Sequence, residues 1–108
     1  MIINRGDSIL IYGINIDTIY REVGATKDIV SQMERSPKHV RFIDLCKVCD
    51  FYFGQARFSG SHRIYKTPWQ GDPRINIQDD DGKAKAYQVR QVLKAIKRLE
   101  SGHYDDRS

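Results

Sequence analysis

Residues 89–99 leave little choice of local structure. Val89, Val92, Leu93, Ile96 and Leu99 recur every three or four positions, and Arg90, Lys94, Lys97 and Arg98 lie on the opposite side. This is the spacing of an α-helix that buries one face and shows a basic one. Upstream, Arg74-Ile-Asn-Ile-Gln78 alternates polar and apolar residues with the period of two of a half-buried strand. Further back, Phe42, Leu45, Cys46, Cys49 and Phe53 fall at i, i+3, i+4, i+7 and i+11, with Arg41, Asp44 and Lys47 expected to point away. A chain of 108 residues builds one modest core. Two helical stripes and one strand face must therefore share it, which predicts an α+β domain with helices against a sheet.

The boundaries follow from turn chemistry. Ser36-Pro37 reads as the entry to the first helix, with Ser as cap and Pro at the first helical position, and Gly54 as its end. Gln55–Phe58 and Ser61–Thr67 are expected as strands joined near Ser59-Gly60, and Pro68–Pro73 and Asp79–Gly82 as turns. The acidic Asp79–Asp81 run lacks the ligand spacing and terminal Glu of a calcium-binding EF-hand loop. The predicted order is α-β-β-β-α, a three-stranded antiparallel sheet with both helices on one face, spanning residues 33–101, with a polar tail at 102–108. Residues 1–32 are expected to be an appendage. Ser8–Tyr12 has strand composition, Asp28–Met33 suits a short helix, and the stretch between shows no clear period. Addition of a strand to a sheet edge is the expected structured role. Met33 reads as a natural domain start, so residues 1–32 are expected to derive from an upstream start codon, which intact mass would test.

No apolar run approaches the ~20 residues of a membrane helix. Asp7 sits where a secretory signal would lead from a basic start into its apolar stretch. The expectation is a cytosolic protein with no membrane partner. The formal net charge is +4, and it is uneven: residues 1–32 hold three basic and four acidic side chains, the remainder 15 and 10. The excess favours a polyanionic partner through counterion release. Cys46 and Cys49 form a C-x-x-C without the second pair of a four-cysteine zinc framework. They read as reduced thiols on an apolar helix face, with a zinc site recruiting His39 as the alternative.

Gly60-Ser61-His62-Arg63-Ile64-Tyr65 resembles the Gly-Ser-His signature that opens the central strand in the HicA family of toxin ribonucleases. The setting matches too: a helix before it, a polar turn and Arg74–Gln78 after it, then Gly82–Arg90 leading into the last helix. The resemblance covers about residues 34–100, and residues 1–32 and the long Pro68–Pro73 turn depart from it. It implies a double-stranded-RNA-binding-like fold, a metal-independent RNA endonuclease without a cofactor, mRNA as substrate and a HicB-type antitoxin as partner.

RNA carries its own nucleophile, the 2′-hydroxyl, so proton transfer and charge stabilisation suffice to cut it. An ordinary imidazole, with pKa about 6.5, offers both protonation states near neutrality. The hypothesis is that His62 acts as general base or acid, that Arg63 and Lys66 stabilise the phosphorane, and that Ser61 and Tyr65 orient the imidazole or the phosphate. A 2′,3′-cyclic phosphate would follow, and recovery of only 3′-hydroxyl ends would reject the scheme. Lys83 and Lys85, before the last helix, stand where double-stranded-RNA-binding domains place phosphate contacts. Strand alternation puts His62 with Ile64 and Arg63 with Tyr65. If Ile64 is core, His62 starts on the core side, and only a bulge or the strand's end would free it. His62 as a hydrogen-bonded core histidine, a non-catalytic RNA-binding module of the same fold, and an adaptor for an acidic protein are the competing readings. Trp69 either stacks on an unpaired base or packs, with packing expected; His39 and His103 lie outside the motif.

Overall fold

The computed structural model describes residues 10–11, 13–70 and 74–102. The expected turn at Pro68–Pro73 is therefore seen only through Gln70, and His103 and most of the polar tail lie outside the described residues. The element order is β1 (Leu10–Ile11), β2 (Ile14–Asn15), α1 (Ile16–Arg35), α2 (Phe42–Phe53), β3 (Arg57–Ser59), β4 (His62–Tyr65), β5 (Ile75–Asp80), β6 (Lys83–Ala84) and α3 (Ala86–Ser101). Strands β3-β4-β5-β6 form one antiparallel sheet in chain order. The α+β class is as expected, with a fourth strand and a third helix added to it.

The fourth strand comes from the Asp79–Gly82 segment, where the sequence predicted only a turn. Asp79 and Asp80 continue β5 and pair with Ala84 and Lys83. The turn shrinks to Asp81-Gly82, both at positive φ. Two such residues are what a type I′ hairpin requires, and Asp-Gly is a favoured pair for it. At the β3–β4 corner Gly60 takes positive φ (59°) between the paired Ser59 and His62.

Residues 16–35 form one 20-residue helix where only a short 28–33 helix was expected, and the strand expected within 8–12 is present as β1 but pairs with β2 in a separate two-stranded sheet, not with the edge of the main one. Asn15 caps it by accepting from the Asp17 N–H at 2.8 Å. Ile16, Ile19, Val23, Thr26, Val30 and Met33 follow one another at alternating spacings of three and four, and polar Thr26 hides the stripe from a purely apolar count. Thr26 and Met33 are buried, and α1 packs against both α2 and α3. The 32/33 boundary thus falls inside a helix. Ser36-Pro37 closes this helix instead of opening the next: the Ser36 N–H bonds the Gln32 carbonyl, and Pro37 follows the cap as it commonly does. The chain enters α2 only after pinning itself to β6, through Ala84 N–H to Val40 O (2.9 Å) and Phe42 N–H to Gly82 O (3.0 Å).

The core lies between the helices and one sheet face. Leu45, Cys46, Val48 and Cys49 of α2 and Val89, Val92, Ala95 and Ile96 of α3 meet Tyr65, Ile75, Ile77 and Ala84. Asp44, expected on the outer side of α2, is buried and held by Arg41 at 3.0 Å. The C-x-x-C thiols are buried, and desolvation pushes both up from the usual range. Burial, then the bond its hydroxyl donates to Asp50, does the same to Tyr65.

Two outcomes follow. Met33→Ala should destabilise the protein by about 2–5 kcal/mol in urea unfolding, whereas exposed Tyr20→Ala should stay within about 0.5 kcal/mol. The thiols and Tyr65 ionise at higher pH when folded than when unfolded. Their contribution to stability is therefore complete below about pH 8.5 and falls as pH rises beyond it. Denaturation midpoints across pH 7–10.5 should show this loss, smaller in Tyr65→Phe.

Candidate functional site

Alternation along β4 and β5 runs opposite to the case in which Ile64 is core. Tyr65 (0% exposed), Ile75 and Ile77 face the helices. Register pairs His62 with Gln78 and Ile64 with Asn76, so His62, Ile64, Asn76 and Gln78 share the face that the helices leave open. No bulge is needed to bring His62 out. The residue that decides this is Tyr65, whose aromatic body suits the core and whose hydroxyl finds Asp50 at 2.5 Å.

On the open face the His62 ring is fixed by Asn76, with Nδ1 2.9 Å from Asn76 Oδ1. An amide oxygen only accepts, so Nδ1 carries the hydrogen and, in the neutral ring, Nε2 keeps its lone pair. Beside it runs a second chain of bonds. Lys85 Nζ donates to Gln78 Oε1 (3.0 Å), and Gln78 Nε2 donates to Ser61 Oγ (2.8 Å). Gln88, 4% exposed, accepts the Gln78 backbone N–H through Oε1 (3.0 Å) and donates from Nε2 to the Tyr87 hydroxyl (3.2 Å). Side chains from β4, β5, the β3–β4 corner and the start of α3 thus converge on one patch.

The sequence-derived residues divide. His62, Ser61 and Lys85 are brought together, and Lys83 lies close by on β6, opposite Asp80. Arg63 and Tyr65 are not part of this group. Both point to the helix side, where Tyr65 is sealed in the core and Arg63 lies over the Phe58 ring at 4.9 Å from its centre. The Tyr65 hydroxyl raises the Arg63 pKa, foremost among several causes. Neither side chain reaches the His62 face, which corrects their expected roles beside it. Lys66 sits four residues along from His62, ~13 Å at strand rise, and shares a surface depression with Trp69 and Arg74. Trp69 packs as expected, buried under Arg98 (4.4 Å to the ring centre) and edge-on to Phe53.

Four contributors were not singled out from sequence: Asn76, Gln78, Gln88 and Arg57. Asn76 and Gln78 were legible as the polar phase of Arg74–Gln78, but their partners depend on the β4–β5 register. Arg57 pairs with Ile64 and is therefore diagonal to His62 on the open face, within reach of a long side chain. Among the described residues no group of three or more His, Cys, Asp and Glu is placed to hold a metal ion, and no helix is long and apolar enough to cross a membrane. Comparison with protein-family models, curated proteins and solved structures finds no match for the chain.

The Asn76 contact can be read directly. Nitrogen NMR of the His62 ring should report the Nδ1–H tautomer at a pH where the ring is neutral. Asn76→Ala should shift the population toward Nε2–H, and an unchanged spectrum would show that Asn76 does not set the tautomer.

Proposed function

We propose that the chain is a metal-independent RNA endonuclease of the HicA type, a cytosolic toxin held in check by a HicB-type antitoxin, with His62 as its general base. The observation that carries the reading is the His62–Asn76 pair on the helix-free sheet face. It presents Nε2 to solvent-side substrate while the other ring nitrogen is occupied. The order α2-β3-β4-β5-α3, with both helices on one face, also supports a double-stranded-RNA-binding-like topology, to which β6 and α1 are additions.

In the proposed reaction the 2′-hydroxyl gives its proton to His62 Nε2 as its oxygen attacks the adjacent phosphorus. The bond from phosphorus to the 5′-oxygen breaks, and that oxygen takes a proton from solvent. The products are a 2′,3′-cyclic phosphate and a 5′-hydroxyl. Developing charge on the phosphorane needs fixed cations nearby. Arg57, diagonal to His62, and Lys85, tied through Gln78 to Ser61, are better placed for this than Arg63 and Lys66. Ser61, exposed at the corner, offers its hydroxyl to a phosphate oxygen, and Lys83 extends the positive surface along β6.

His62→Ala should lower cleavage of a cellular mRNA by about 100-fold or more and relieve growth arrest on induction. RNA affinity should stay within about three-fold, because the phosphate-binding cations remain. A protein that binds RNA equally well and never cleaves it, before or after the substitution, is a binding module instead. Lys85→Ala should weaken both binding and cleavage, and reduce the salt dependence of binding by about one unit of log–log slope.

A further inference from the structure

Strand β6 covers only the Asp79–Asp80 end of β5. Alongside the rest of β5, at its junction with α3, lies a cavity of about 260 Å³. Its walls include Trp69, Arg74, Asn76, Gln88, Lys94 and Arg98. We propose that this cavity is a nucleotide subsite, taking one unpaired base and its phosphate from RNA whose neighbouring phosphodiester lies at His62. The inference rests on the RNA reading above and adds to it where the substrate strand runs and what it is gripped by.

Four features point to this ligand. The cavity is cationic, with Arg74, Lys94 and Arg98 in its lining and no carboxylate among the described residues that line it. Two of its lining residues form a cation–π pair, the Arg98 guanidinium lying over the Trp69 indole with its carbon 4.4 Å from the ring centre. Guanidinium planes held in this way are surfaces on which single-stranded bases stack. One wall is built and rigid: Gln88 is buried, and both ends of its amide are engaged, by the Gln78 N–H and the Tyr87 hydroxyl. Finally, the cavity is joined to the proposed catalytic group by a single residue. Asn76 lines it and holds His62 Nδ1 through its side-chain oxygen. A base seated here would have Asn76 between it and the imidazole, and Lys66, in the depression that Arg74 and Trp69 also line, would meet the next phosphate. The size admits one nucleoside and excludes a duplex, so the subsite would select unpaired RNA at the cut.

The test uses the full chain and an oligoribonucleotide with every 2′-hydroxyl methylated, which binds but offers no nucleophile. Arg74→Ala with Lys94→Ala should weaken its binding by about ten-fold or more. Arg90→Ala with Lys97→Ala removes the same charge from α3 outside the cavity and should change binding by less than about three-fold. An abasic version of the oligonucleotide should bind the unaltered protein about ten-fold more weakly than the version with bases. Equal losses from the two double variants would reduce the cavity to diffuse electrostatics and overturn the subsite. So would indifference to missing bases, or tight binding of an acidic peptide with no binding of the oligonucleotide. Base-dependent binding at the cavity supports the subsite even if unmethylated RNA is never cut, in which case the His62 chemistry fails alone. Cleavage that persists at full affinity in Arg74→Ala/Lys94→Ala removes the subsite and leaves that chemistry standing.

Discussion

The register of β4 against β5 governs the rest of the molecule. Strand side chains alternate, so placing Tyr65 under the helices with Ile75 and Ile77 obliges His62, Asn76 and Gln78 to face the other way. A one-residue slip of either strand would turn that strand over, burying the His62 imidazole and exposing Tyr65, or burying the Asn76 and Gln78 amides and exposing Ile75 and Ile77. The apolar face therefore does more than stabilise the sheet. Because that slip is so unfavourable, the pairing that brings Asn76 to His62 is held by the hydrophobic core, not by the polar contacts themselves. Two positive-φ hairpin corners fix the flanking registers, Gly60 that of β3 against β4 and Asp81-Gly82 that of β5 against β6.

Helices α2 and α3 then set the boundary of the open face. The start of α3 brings Lys85 and Gln88 to β5, one as a cation on Gln78 and the other as a cap on a backbone N–H. The short β6 leaves the remainder of β5 beside α3, where the cationic cavity forms. The open face and the cavity meet at Asn76, which makes the polar phase of one strand common to both.

Much of this was legible in the residues. The stripes of α2 and α3 and the period-two strand at 74–78 lead to the right class and to a single core shared by helices and sheet. His62 stands out through its motif. Three things were not legible, each for a physical reason. The long α1 stayed hidden because Thr26 interrupts its apolar phase and Gly24 lowers its propensity. Ser36-Pro37 satisfies the rules for a helix start and for the chain just beyond a helix end, and only the pairing of residues 40–42 with 82–84 decides between them. The side of the sheet taken by His62 turned on whether Ile64 or Tyr65 was core. Both are hydrophobic enough, and the choice depends on Asp50, fifteen residues away, accepting the tyrosine hydroxyl. The partners of His62 and Ser61 are long-range for the same reason: Asn76 and Gln78 reach them only through strand pairing.

In the proposed reaction an imidazole on the open sheet face activates a ribose 2′-hydroxyl without a metal. The most direct measurement is incubation of the protein, with chelator present, with a DNA strand carrying a single ribonucleotide. One cut is expected, immediately 3′ of that ribose. A strand left intact while an all-RNA strand of the same sequence is cut only after metal is restored, or one cut at positions with no 2′-hydroxyl, would contradict this reaction.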